Sequence, residues 1–103
     1  MMIIYVDIDG TICGPADGNL NYNYSKPIKS RILKINDLYA SGNTIIYWTA
    51  RGTETGIDWT ETTEGQLKEW GAKYHKLLMG KPHFDLFIDD KNINSEDFFK
   101  DIE

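Results

Sequence analysis

Residues 2–11 read MIIYVDIDGT, a short apolar run that changes abruptly into an acidic, glycine-containing turn. Continuous apolar residues with β-branched side chains predict a fully buried strand over Met2–Asp7. A similar pattern recurs at Thr44–Trp48, more weakly at Leu77–Met79 and strongly at Phe84–Ile88. These four segments are the predicted strands.

Helical patterns separate most of the predicted strands. Pro27–Ala40 carries apolar residues at spacings of three and four, and Gly42 stands where a left-handed cap is expected. A second helix is predicted to begin at Asp58 and to stop at Gly71, with Leu67 and Trp70 among the residues on its inner side. A short closing helix covers Ser95–Ile102. Strands joined by helices predict an α/β fold, a three-layer Rossmann-like parallel sheet of about four to five strands flanked by helices.

The composition is that of one small acidic domain spanning residues 1–103. Eleven Lys and Arg against sixteen Asp and Glu give a net charge of −5, which argues against a sequence-independent grip on nucleic acid. The opening apolar run is shorter than the roughly 20 residues of a membrane span and lacks a basic flank, so we expect neither membrane anchor nor signal peptide. The single cysteine, Cys13, fits a reducing, cytoplasmic setting, and its thiol is interpreted as inert.

Polar residues cluster near the ends of the predicted strands. Six residues share this placement: Asp7, Asp9, Thr49, Lys81, Asp89 and Asp90. In an open parallel sheet the carboxyl ends of the strands lie along one edge, and ligands bind there. We therefore expect these side chains to lie close together.

A cluster of four carboxylates requires a counter-charge. Asp7 and Asp9 are two residues apart on an extended chain and point the same way, and two charges about 4 Å apart repel by roughly 4 kcal/mol at an effective dielectric near 20. Four carboxylates against Lys81 alone leave a charge of −3 (−4 + 1), so the sequence predicts a divalent cation, and oxygen ligands favour Mg²⁺. A metal, a lysine and a threonine hydroxyl form a phosphate receptor, in which a carboxylate can attack phosphorus. Gly10 would allow a sharp backbone turn that brings its amide towards a phosphoryl oxyanion.

Four motifs resemble those of the haloacid dehalogenase superfamily. They are DIDGT at Asp7–Thr11, Thr49 in WTAR, Lys81 in GKP, and FIDD ending at Asp89–Asp90, in that family's order and across most of the chain. The resemblance implies an enzyme, a Mg²⁺-dependent phosphoric monoester hydrolase that forms an aspartyl-phosphate intermediate.

The resemblance also implies a role for each matching residue. Asp7 would be the nucleophile, and Asp9 the general acid that protonates the leaving oxygen and then the base that activates water. The implied phosphate ligands are Asp7, Thr49, Lys81 and the backbone at Gly10 and Ala50. Mg²⁺ would be held by Asp7, the carbonyl of Asp9, Asp89 and Asp90.

Two of these assignments have alternatives, and a further residue, Arg51, has two candidate roles. Lys91 competes with Lys81 for the role of the site lysine. Asp90 could cap the loop that follows it instead of binding metal. Arg51 could contact substrate or pair with a carboxylate at the surface.

The motif spacing resembles that of capless members of the family. Thr49 and Lys81 are 32 positions apart, a span already filled by one helix and one strand, and residues 10–25 suffice only for a flap. Several capless members act on sugar phosphates, so we expect a small phosphorylated metabolite as substrate, a sugar phosphate among the candidates. Without a cap, the flap or a neighbouring subunit must exclude water, and we expect a homo-oligomer.

Other functions compete with this reading. A receiver-like signalling domain also unites acidic residues, threonine, lysine and Mg²⁺, but there the lysine ends the last strand, whereas Lys81 precedes the final acidic pair. A regulatory domain without turnover would keep the motifs as relics. A nucleic-acid end phosphatase would need a basic strip, for which the candidates are Lys26, Lys29, Arg31 and Lys34.

Overall fold

A computed structural model describes residues 1–15 and 21–103 of the protein. Its parallel sheet contains β1 (Ile3–Val6), β2 (Thr44–Trp48) and β3 (Lys76–Leu78), in the order β1-β2-β3. The register places Ile4 opposite Ile45 and Tyr47 opposite Leu77. The predicted α/β class is therefore confirmed, and the described residues include no cap domain.

Three helices accompany the sheet within the described residues: α1 (Lys29–Ala40), α2 (Thr60–Glu69) and α3 (Ser95–Phe99). Short 3₁₀ turns lie at Tyr22–Tyr24 and Lys100–Ile102. Helix α1 begins two residues later than predicted because Ile28 keeps an extended backbone, with φ −103° and ψ 93°. Helix α2 begins at Thr60, whose amide donates to Asp58 Oδ1 at 2.9 Å, so Asp58 caps the helix from one residue further out.

The apolar core lies around the central strand β2. Ile45 and Tyr47 of β2 are fully buried, and the predicted inner faces of the two long helices meet them. Ile32 and Ile35 of α1 and Leu67 of α2 are each at most 1% exposed. The 3.6-residue periodicity in the sequence therefore identified the buried helix faces correctly.

The predicted fourth strand is wrong. Phe84–Ile88 forms no strand and lies at the surface, with Ile88 87% exposed. The Lys81 amide donates to the Thr49 carbonyl at 3.0 Å, and Thr53 Oγ1 donates to the Lys81 carbonyl at 2.8 Å. These bonds fasten the chain leaving β3 to the end of β2, and the residues that follow do not return to pair with β1.

The loss of this pairing also corrects the prediction for β1. The segment Met2–Asp7 was expected to be fully buried, but Ile3 is 70% exposed and Tyr5 55% exposed. Strand β1 is hydrogen-bonded to β2 alone and forms an edge of the described sheet. Successive side chains of a strand point to opposite faces of the sheet, so the exposure of Ile3 and Tyr5 beside the burial of Val6 means that one face of β1 is uncovered.

Two further expectations concern the flap and a membrane anchor. The predicted flap falls partly on residues 16–20, which lie outside the described residues. Among the residues that the structure describes, no helix combines the length and the apolar character needed to cross a membrane.

Candidate active site

An open cavity of about 360 Å³ lies at the carboxyl ends of β1 and β2. Six of the residues singled out in the sequence line it: Asp7, Asp9, Thr49, Ala50, Arg51 and Lys81. The convergence of these residues follows from the parallel sheet, because Asp7 follows β1, Thr49 follows β2, and Lys81 follows β3.

Asp7 is held by one cation and one hydroxyl. Lys81 Nζ lies 3.3 Å from Asp7 Oδ1, and Thr11 Oγ1 donates to Asp7 Oδ2 at 3.3 Å. The Asp7 side chain is 38% exposed, so one part of the carboxylate remains open to a ligand. The Lys81 ammonium also lies 5.8 Å from the Trp48 ring and 5.4 Å from the Phe84 ring, which orient it over the cavity.

The Thr49 hydroxyl is oriented by a backbone amide two residues further along the chain. The Arg51 amide donates to Thr49 Oγ1 at 3.1 Å, and Thr49 is 1% exposed. Because that oxygen accepts a bond from the backbone, the Thr49 O–H proton is free to be donated to another oxygen. A phosphoryl oxygen in the cavity would be a suitable acceptor.

Asp9 is bound by Arg51 through both of its carboxylate oxygens. Arg51 Nε donates to Asp9 Oδ2 and Arg51 Nη2 donates to Asp9 Oδ1, each at 2.9 Å. The Arg51 side chain has no exposed surface. Of its two predicted roles, pairing with a carboxylate is therefore observed, although the pair is buried beside the cavity and not at the surface. The Arg51 side chain has no exposed atom left to contact a substrate.

Helix α2 supplies groups that the sequence analysis missed. Arg51 Nη1 donates to Thr63 Oγ1 at 3.1 Å and to Gln66 Oε1 at 2.6 Å, and the guanidinium lies 4.7 Å from the centre of the Tyr22 ring. A signal was present: Thr63 and Gln66 are polar residues three positions apart on the buried side of a helix, where an unpaired polar group would be costly.

Gly10 does not take the predicted phosphate-binding role in this arrangement. Its backbone has φ 78°, as the sharp turn after the first strand requires, but its amide donates to the Cys13 carbonyl at 3.0 Å. Gly10 is not among the residues that line the cavity. The turn uses this amide internally, which sequence alone did not reveal.

Asp89 and Asp90 are not brought to the cavity. Both are exposed; Asp89 Oδ1 accepts the Asp90 amide at 2.8 Å, and Asp90 pairs with Lys91 at 3.6 Å. Lys91 is therefore occupied at the surface, and Lys81 is the lysine that meets Asp7.

As arranged, the described residues leave the predicted Mg²⁺ ligands apart, because Asp7 and Asp9 line the cavity whereas Asp89 and Asp90 do not. Among the described residues, no group of three or more His, Cys, Asp or Glu side chains is placed to hold a metal ion. Arg51 adds a positive charge beyond Lys81 that the predicted balance of −3 did not include. With Lys81 on Asp7 and Arg51 on Asp9, each of the two aspartates at the cavity already has a cation.

Cys13 lies directly behind this ion pair. Its thiol is fully buried and donates to Asp9 Oδ1 at 3.4 Å. Burial, with a contribution from the charge of Asp9, raises the pKa of Cys13 to about 12. The thiol therefore stays protonated at neutral pH, in agreement with the expectation that it is inert.

The outer rim of the cavity is polar. Glu54 and His83 face each other there, with His83 Nε2 3.5 Å from Glu54 Oε1, and both side chains are more than half exposed. Gly52 allows the loop beneath this rim to close, since its φ is 83° and any side chain would collide with the carbonyl of Ile57.

Comparison with known proteins supports the fold. No family model and no curated protein matches the chain. The crystal structure of a structural-genomics target from Vibrio cholerae is similar, with a TM-score of 0.82 and 24% sequence identity over 95% of this chain and 87% of that one. At this level of identity the similarity establishes the α/β fold and carries no information on function.

Proposed function

We propose that the protein is a phosphohydrolase in which Asp7 attacks the phosphoryl group of a small metabolite. The observation that carries the proposal is the placement of Lys81 Nζ 3.3 Å from Asp7 in a cavity that Thr49 also lines. An exposed carboxylate beside a cation and a hydroxyl donor is suited to nucleophilic attack on phosphorus. The resemblance to the haloacid dehalogenase superfamily supports the same chemistry.

The proposed reaction has two steps. An Asp7 oxygen forms a bond to phosphorus while the bond to the leaving oxygen breaks, and that oxygen keeps the electron pair and takes a proton from Asp9 when it needs one. A water oxygen then attacks phosphorus and gives a proton to Asp9, and the electron pair of the breaking bond returns to Asp7. Lys81 and Thr49 stabilise the charge on the phosphoryl oxygens in both steps.

The cavity favours a small polar substrate. Its volume of about 360 Å³ suits a metabolite, and the Glu54 and His83 pair at the rim offers hydrogen-bonding partners for hydroxyl groups. A sugar phosphate meets both conditions. Mg²⁺ dependence and a cytoplasmic setting are parts of the proposal that come from the sequence alone.

A nucleic-acid end phosphatase is less well supported. That function needed a free basic strip, but Arg31 is buried against Glu103, Lys34 pairs with Asp101 at 2.8 Å, and Lys29 donates to the Trp70 carbonyl at 2.9 Å. These cations are already occupied within the fold, so little is left to bind a phosphate backbone.

Self-association remains part of the proposal. Ile3 and Tyr5 on the free edge of β1 are exposed, and so are Leu86 and Ile88 on the unpaired segment. An exposed apolar edge invites pairing with a second copy. Sedimentation equilibrium should show a species heavier than the monomer; a monomer at all concentrations would contradict this part of the proposal.

The function is tested by a screen of phosphorylated metabolites with Mg²⁺ present and inorganic phosphate as the readout. We expect hydrolysis of at least one sugar phosphate by the natural protein and none by Asp7→Asn, whose circular dichroism spectrum should be unchanged. Normal turnover by Asp7→Asn would rule out the covalent scheme. A phosphorylated Asp7 that persists for minutes would instead favour the receiver-like alternative.

A further inference from the structure

Arg51 and Asp9 form a two-pronged ion pair beside the cavity, with both hydrogen bonds at 2.9 Å. Building on the proposed function, we infer that Arg51 is a positioning residue that holds the Asp9 carboxylate ready to accept a proton from the attacking water. Arg51 acts through Asp9 and does not touch the substrate, because its side chain has no exposed surface.

The guanidinium is itself fixed from the side opposite Asp9. Thr63 and Gln66 of α2 accept bonds from Nη1, and Gln66 Nε2 donates to the Tyr22 carbonyl at 2.6 Å, which ties the Tyr22 ring to the same group. A planar guanidinium that is hydrogen-bonded on two sides cannot rotate. Because the Asp9 carboxylate binds it through both oxygens, the guanidinium fixes the orientation of that carboxylate. Asp9 also lines the cavity, so this orientation is imposed where the phosphoryl group would lie.

This orientation matters in the second step of the proposed reaction. There a water oxygen bonds to phosphorus, the bond from phosphorus to the Asp7 oxygen breaks with its electron pair returning to Asp7, and the water proton passes to Asp9. A small misplacement of a proton acceptor costs about 100-fold in rate. A lysine at position 51 would keep the positive charge but could not bind both oxygens of Asp9 in this geometry.

Acetyl phosphate isolates the second step. Its leaving group, acetate, departs as an anion without a proton, so formation of the phosphorylated Asp7 does not require Asp9. For Arg51→Lys we expect a burst of acetate followed by steady-state turnover about 100-fold slower than that of the natural protein. Mass spectrometry of acid-quenched samples should find Asp7 largely phosphorylated. Asp9→Asn serves as the reference and should accumulate the same species.

A purely structural role for Arg51 would lower the folded fraction without accumulating phosphorylated protein. Arg31→Gln is the matched control, because Arg31 is also a buried arginine with ion pairs, to Glu96 and Glu103. It should lower the melting temperature without trapping the intermediate. If Arg51→Lys does not fold, Gln66→Met removes one anchor of the guanidinium but leaves its bonds to Asp9, and it should accumulate the intermediate to a smaller extent.

The outcomes separate this inference from the proposed function. Natural turnover by Arg51→Lys, or slow turnover by both Arg51→Lys and Gln66→Met without accumulation of phosphorylated Asp7, would overturn the positioning role alone. A natural protein that hydrolyses neither acetyl phosphate nor any compound in the screen would overturn the proposed function itself.

Discussion

The ammonium of Lys81 lies 3.3 Å from the carboxylate of Asp7, although the two residues are 74 positions apart in the sequence. The contact depends on the end of β2, where the Lys81 amide donates to the Thr49 carbonyl at 3.0 Å. One backbone bond thus ties the site lysine to the strand that also supplies Thr49. The cation, the hydroxyl and the carboxylate are therefore positioned by the sheet and not by a flexible loop alone.

Replacing Lys81 by methionine should lower turnover by about 10²- to 10³-fold, because the developing charge on the phosphoryl group loses its cation. The measurement is kcat on the best substrate from the metabolite screen. Lys91→Met is the matched control, since Lys91 is exposed and pairs only with Asp90 among the contacts described. Equal losses in the two variants would show that Lys81 has no special role.

Removal of divalent cations tests the Mg²⁺ prediction. We expect activity to be lost in excess EDTA and restored by Mg²⁺, with Asp89→Asn requiring more Mg²⁺ for half-maximal rate. Because Asp89 is at the surface in this structure, such a result would mean that the 84–90 segment moves when the metal binds. Full activity in EDTA would mean that Lys81 and Arg51 are the only cations that the site needs.

The fold should lose stability in acid through its carboxyl-terminal turn. A hydrogen bond from Arg31 lowers the pKa of Glu103, and one from Lys34 lowers the pKa of Asp101. A carboxyl whose pKa is lower in the folded state stabilises it above the unfolded pKa of about 4 and loses that effect as the pH falls through the folded value. Melting temperatures should therefore fall between about pH 5 and about pH 3.

The control for this acid effect is the double variant Asp101→Asn with Glu103→Gln. It should be less stable than the natural protein at neutral pH and should show a shallower decline in acid. An identical decline in both proteins would place the acid-sensitive groups elsewhere.

Tyr47 carries a polar atom that the core does not satisfy. Its hydroxyl is buried and has no hydrogen-bond partner among the described residues, and burial raises its pKa. Tyr47→Phe removes this group, so we expect a free energy of unfolding that is unchanged or higher by about 1 kcal/mol. Urea denaturation measures it. A loss of more than about 1 kcal/mol would reveal a partner for the hydroxyl outside the described residues.

The sequence predicted correctly the helices and the strand in which buried apolar residues recur at a regular spacing. Thr44–Trp48 matches β2 at both ends, and the apolar faces of α1 and α2 are the buried ones. Phe84–Ile88 has an equally strong strand pattern, yet pairing requires an available partner edge, and the bonds that hold Lys81 to β2 direct the chain elsewhere. A local sequence pattern indicates strand propensity, but it does not show whether the chain runs beside a partner strand.

Part of the candidate site was predictable as a set of residues, but its contacts were not. Asp7, Thr49 and Lys81 converge because each follows a strand of a parallel sheet. The partner of Asp9 was not predictable in this way, because the Arg51 side chain could point to solvent or inwards. Its inward course depends on Thr63 and Gln66, which come from a different element.

The central claim, attack by Asp7 on phosphorus, is tested most directly by locating the phosphoryl group during turnover. The natural protein is quenched in acid during hydrolysis of its best substrate, digested, and mapped by mass spectrometry. The account predicts one phosphoryl group on the peptide that contains residues 7–11, attached to Asp7 as an acyl phosphate that hydroxylamine removes. Rapid hydrolysis with a phosphoryl group on another side chain would contradict it.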